Sequence, residues 1–159
     1  GDCQCIVGNL YSSNEKPIDA IMANARSVVN EVALLNGMTM EDFEKKDPGR
    51  AFIYPFLQQQ AVLQNNPKKG QLYSFPVFDG FPIQMEQVKI FQVGDDREII
   101  LSSDGYPHLF STLRASECYL MNILDNDPLC MRLYKSTKGI KKGNFSFDDR
   151  SYLKIRINR

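Results

Sequence analysis

The sequence predicts an α+β domain of packed layers, and three observations carry that prediction. Apolar residues recur at three- and four-residue steps from residue 17 until Asn36-Gly37 stops them, shorter β-textured runs divided by turn pairs follow from residue 73, and residues 151–157 alternate apolar with polar side chains. A period near 3.6 marks an amphipathic helix and a period of two marks a half-buried strand. A helical block followed by a strand block favours helices laid against a sheet.

Taken in order, residues 2–7 end at the turn signal Gly8-Asn9 and read as a short strand. The helix that begins at Pro17 sets Ile18, Ile21, Met22, Ala25, Val28, Val29, Val32 and Leu35 in a stripe expected to be its buried face. Thr39 with Asp42 three residues on is an N-cap signature, and Asp47-Pro48 places a cap before a proline at the first helical position. Two further helices follow from these, the second interrupted near Pro55, where an interior turn loses a donor, and continuing toward Asn65-Asn66-Pro67. Residues 73–78 and 81–83 flank Asp79-Gly80 as a hairpin, and 88–93 with 98–101 form another around Gly94-Asp95-Asp96. Helical texture returns at 116–124, where Leu120, Met121 and Leu124 share a face, and again after Asp127-Pro128. In the last strand Leu153, Ile155 and Ile157 should face the core and Tyr152, Lys154 and Arg156 the solvent.

A chain of 159 residues suffices for one domain with a core of its own. Its 19 Lys and Arg balance 19 Asp and Glu, so no global field draws it to nucleic acid or to an anionic membrane. No apolar run approaches the ~20 residues that span a bilayer, and the Gly1-Asp2-Cys3 start lacks the order of a signal peptide. Cys3, Cys5, Cys118 and Cys130 lack Cys-x-x-Cys spacing, and His108 is the only imidazole, so zinc is not indicated. Reduced structural cysteines and a cytoplasmic compartment are the expectation.

Chemistry concentrates in three segments that put carboxylates at strand ends: Gly1-Asp2-Cys3, the apolar run 99–101 leading into Ser103-Asp104-Gly105, and Asp148-Asp149 just before the last strand. Such carboxylates are held by a sheet yet open to solvent, which suits Mg²⁺ or Mn²⁺. Each pair taken alone also fits an ordinary turn. The basic run from Lys135 to Gly143 lacks P-loop order and is either a solvated loop or a means by which Lys138, Lys141 or Lys142 steers a phosphorylated substrate. His108 is a structural residue or a proton donor.

In order and texture these segments resemble the later motifs of PP2C-type metal-dependent protein phosphatases: Gly1-Asp2, then Ser103-Asp104-Gly105 closing an apolar strand, then Asp148-Asp149-x-Ser151 opening the last one. The resemblance covers 98–157, and more loosely the chain from residue 1. It implies a layered α/β/β/α sandwich, incomplete at its N-terminal side, in a single domain 1–159 whose residues 14–66 are a helical insertion of a bacterial branch. It further implies Asp104 and Asp148 as metal ligands, with Asp149 and Gly105 secondary. Asp149 stands where many relatives carry Asn. The activity implied is hydrolysis of phosphoserine or phosphothreonine in proteins by water activated between two Mg²⁺ or Mn²⁺ ions. The family's phosphate-binding arginine and first Asp-Gly are absent from this sequence, so the chain alone is expected to be inactive. Its implied partners are a phosphorylated protein and an N-terminal half of the domain or another chain. A catalytically silent binding module, and an N-terminal-nucleophile amidohydrolase using Cys3, are the rival readings.

Overall fold

Four strands, β1 (Gln4–Val7), β2 (Leu10–Ser13), β3 (Glu98–Ser102) and β4 (Tyr152–Arg156), pair antiparallel in the order β2-β1-β3-β4. The structure is a computed structural model that describes residues 2–66, 72–93 and 98–157. With helices α1 (Pro17–Leu35), α2 (Met40–Lys45), α3 (Pro48–Gln58) and α4 (Leu113–Asn126) it is a mixed α+β fold. Gly8, at a φ of 59°, turns the chain from β1 into β2, a strand not expected from the sequence.

Capping explains most helix starts. Thr39 and Asp42 complete a reciprocal capping box, Asp47 accepts from the Arg50 N–H, and Thr112 accepts from the Ala115 N–H. α1 alone among the four α-helices has no side-chain cap; Lys16 stands at that position before Pro17. α3 runs through Pro55 rather than breaking there, and a 3₁₀ turn at Gln60–Leu63 follows it.

Neither expected hairpin forms among the described residues. Residues 73–83 contain only a single bridge, between Phe75 and Gln64, because the Asn65 side chain takes the place of a partner strand. Asn65 donates to the Val77 carbonyl and accepts from the Val77 N–H, at 2.9 and 3.0 Å. Residues 88–93 are irregular, since both edges of β3 are already taken by β1 and β4. The turn at 94–96 lies outside the described residues. After Asp127 the chain curls instead of forming a helix. The Asp127 carboxylate accepts from the N–H groups of Met131, Arg132 and Leu133, and Cys130 sits at a φ of 49°, outside helical space.

Two elements present their faces opposite to the expected sense. On α1 the stripe residues Ile21, Val28, Val32 and Leu35 are exposed, Leu35 to 80%, while Ala23, Arg26, Ser27 and Asn30 are buried. On β4, Leu153 and Ile155 are exposed, in register with Leu101 and Ile99 on β3. The covered side of the sheet is the one carrying Gln4, Ile100 and Ser102. On α1 the reason is polar anchoring, with Arg26 and Asn30 engaging Asp47; on β4 it is Tyr152, which turns inward to pack on apolar neighbours and reaches the Phe110 carbonyl at 3.5 Å. The apolar core proper lies elsewhere, in Tyr106, Leu120, Leu124, Cys130 and Phe147.

Candidate functional site

β3 and β4 are paired neighbours, with Ser102 opposite Tyr152 and the Ser103 N–H bonded to the Ser151 carbonyl at 3.2 Å. That pairing brings the segments carrying Asp104 and Asp148 to one end of the sheet. Gly105 makes the approach possible: a Cβ there would lie 2.2 Å from the Asp149 carbonyl oxygen and 2.7 Å from Arg150 Cβ. Gln4 holds the turn that follows, donating to the Tyr106 carbonyl and accepting from the Leu109 N–H at 2.9 Å.

Asp104 and Asp148 line a cavity of about 230 Å³ together with Asp2, Glu15, Lys16, Asp19, Tyr134 and Lys135. Five carboxylates thus face two lysines from the lining. Burial, then the charges of Asp2 and Asp148, raise the pKa of Asp104 above the usual carboxylate range. Lys16 Nζ bridges Asp2 at 2.8 Å and Asp19 at 3.0 Å, and sits 5.4 Å from the centre of the Phe75 ring. Burial lowers the Lys16 pKa, but the bonds to the two carboxylates outweigh it and the net shift is upward. The Asp19 pKa is raised, because burial exceeds what Lys16 gives back.

Asp148 is paired with Lys138. Lys138, and Asp148 a second time, line a wider cavity of about 790 Å³ with Lys141, Asp149, Glu117 and Arg150. There Arg150 grips Glu117 with two bonds of 2.8 Å, and Tyr106 donates to the same carboxylate. Burial, then the Glu117 bond and charge, push the Tyr106 pKa up to about 12. Lys142 lies outside both cavities and pairs with Glu44 on the surface. His108 lies outside both as well, stacked among Tyr11, Phe110 and Tyr119. All four cysteines are unpaired; Cys3 is exposed and Cys130 buried, its thiol pushed up to about 12 chiefly by burial.

The helical segment contributes more than the sequence suggested. Lys16 and Asp19 stand at its beginning and line the cavity directly. Arg26 and Arg50 brace the wall opposite, donating to the carbonyls of Cys130, Ser136 and Thr137. The missing N-cap residue before Pro17 was the available signal for Lys16; nothing in the sequence pattern set Arg26 apart from the other polar residues of an ordinary amphipathic helix.

Hard oxygen donors of the kind Mg²⁺ and Mn²⁺ prefer are therefore gathered in one place. Their number at any single point is short: among the described residues no three His, Cys, Asp or Glu side chains converge closely enough to hold an ion. No helix among those residues is long and apolar enough to cross a membrane. No known family, curated protein or solved structure matches the chain.

Proposed function

We propose that the cavity is the metal- and phosphate-handling centre of a PP2C-type phosphatase that hydrolyses phosphoserine or phosphothreonine in proteins. The observation that carries this reading is the convergence of Asp104 and Asp148 from neighbouring strands on one cavity. The two carboxylates would hold Mg²⁺ or Mn²⁺, which when bound would lower the pKa of a water and offset charge on the phosphoryl oxygens. Lys138 and Lys141, lining the adjoining cavity, draw the phosphorylated protein toward it. Two carboxylates leave most of an octahedral shell to water, so this chain alone binds metal weakly and does not turn over. The remaining ligands come from an N-terminal half of the domain or from another chain. The open apolar side of the sheet, with Leu10, Leu101, Leu153 and Ile155 exposed, supports a second layer and hence the α/β/β/α sandwich. A cytoplasmic setting, without nucleic-acid or membrane partners, belongs to the same reading.

The test is phosphate release from a phosphoserine peptide by the complete protein, with Mn²⁺ and with chelator. Activity should require metal and vanish in Asp104→Ala and Asp148→Ala. Chelator-resistant turnover rejects the metal mechanism. A second reading, a silent phosphoprotein-binding module, is favoured by the lysines that already occupy Asp2 and Asp148. An intact protein without turnover would select it.

A further inference from the structure

α1 is built inside out. The side it turns toward the protein is polar, with Arg26, Ser27 and Asn30 buried, while Ile18, Ile21, Ala25, Val28, Val32 and Leu35 lie on the opposite side of a helix with 3.6 residues per turn. Those six follow one another at steps of three, four, three, four and three residues. That is the strict heptad seam by which a helix packs on one other helix, narrower than the stripe by which a helix covers a core. Ile21, Val28, Val32 and Leu35 are exposed, and Ile18 and Ala25 are only partly covered. The two flanks of the seam differ in character. On one, Glu31 pairs with Arg132 at 2.9 Å, and a heptad earlier Asn24 accepts from Lys135 Nζ at 2.8 Å. On the other stand Met22 and Val29, also a heptad apart.

We infer that α1 is the docking surface for a second copy of this chain, its seam packed on the same seam running antiparallel about a two-fold axis. The charges on the flank decide both the partner and the direction. Antiparallel pairing sets Ala25 against Val28, Ile21 against Val32 and Ile18 against Leu35 of the second copy, and lays each flank on its own kind. Glu31 then meets the Lys135 held at Asn24 of the second copy, and symmetry makes this pair twice. On the other flank Met22 meets Val29. A parallel copy would instead set Glu31 and Lys135 against the apolar flank and leave both charges without a partner across the contact. Ala25, small and near the middle of the seam, lets the two helices approach closely. The contact is one helix wide and ~28 Å long. It falls short of the roughly 800 Å² per partner of a standard interface and so belongs to the weak, reversible class. This surface does not depend on the phosphatase reading.

Sedimentation equilibrium over a dilution series measures the association. Wild type should form a dimer that dissociates in the micromolar range. Val28→Glu puts a carboxylate in the middle of the seam, at a position the monomer exposes, and should weaken the dimer at least about tenfold while the circular dichroism of the monomer stays unchanged. Glu31→Lys and Lys135→Glu should each weaken it as well, because like charges then face each other. An equimolar mixture of those two variants should dimerise as wild type does, since opposite charges meet again on both sides of the axis. A wild type that stays monomeric to about 1 mM overturns the inference. So does a dimer that is indifferent to Val28→Glu; its loss in Leu153→Glu instead would put the contact on the open face of the sheet. A mixture that fails to recover overturns the antiparallel pairing of two copies.

Discussion

Two adjoining regions of this molecule are held by opposite physics. Around α4 the interior is apolar: Leu120 is fully buried and packs with Tyr106, Leu124, Cys130 and Phe147. Between α1 and α3 the interior is polar, centred on an Arg26 side chain with no exposed surface and an Asn30 equally buried. Arg26 binds Asp47 through two nitrogens at 2.9 and 2.6 Å and the carbonyls of Cys130 and Ser136 through a third. Asn30 donates to the same carboxylate and accepts from the Gly49 N–H at 2.7 Å. Apolar burial is tolerant of exchange, whereas a buried charge depends on every partner being present. The polar core therefore fixes one arrangement of α1, α3 and the 130–137 wall, and both α1 and that wall line the cavity.

The largest expected effect follows from removing the charge at the centre of that network. Arg26→Ala leaves the Asp47 carboxylate and two carbonyls without their donor, and should cost about 3–5 kcal/mol, as breaking a buried ion pair does. Hydrogen exchange should show protection lost first in α1, α3 and the 130–137 wall while β1 and β3 stay protected. Equal loss in both halves would show that the two cores are one cooperative unit, and the contrast drawn here would fail. In the apolar core, Leu120→Ala should cost about 2–5 kcal/mol from lost transfer energy and a residual cavity. Leu120→Met, of similar volume, should cost under about 1.5 kcal/mol. At position 26 the comparable swap to Met gives no such rescue, because shape is not what Arg26 supplies. Denaturant midpoints for the four variants measure this directly.

The same contrast explains what was legible in the sequence. α1 was readable to the residue, as were the caps at Thr39 and Asp47, because period and capping are local properties. Which face of α1 would be buried was not, since Arg26 and Asn30 are drawn inward by Asp47 from 21 and 17 residues away. The hairpin expected around Asp79-Gly80 failed for a similar reason: the Asn65 side chain intercepts the backbone groups that a strand partner needs. At the site, Asp104, Gly105 and Asp148 stood out as strand-end residues. Lys16 and Asp19 did not, because their relation to Asp2 is made only by folding.

The smallest effect sharpens the comparison where the cavity meets solvent. Asp104 is an exposed residue whose carboxyl pKa is nevertheless raised, first by partial burial and then by Asp2 and Asp148. A raised carboxylate pKa means that the folded state binds the proton more tightly than the unfolded chain does. The ionised group therefore costs stability at neutral pH, and that cost disappears as the pH falls through the folded pKa toward the ordinary aspartate value of 3.8. Asp104→Asn, without metal, should raise the melting temperature slightly at pH 7 and have no effect below about pH 3.5. The rise is small because exposure and salt screen the repulsion. Adding 1 M salt should shrink it further, since the Debye length falls to about 3 Å. Asp47→Asn in the polar core should behave oppositely and destabilise at pH 7, because its carboxylate is paired with Arg26 rather than opposed by other anions. Melting curves of both variants at pH 7 test the difference in sign: a fall in stability for Asp104→Asn would mean that its carboxylate is held by a favourable partner, and the cavity would then be a structural ion cluster rather than a site awaiting a cation.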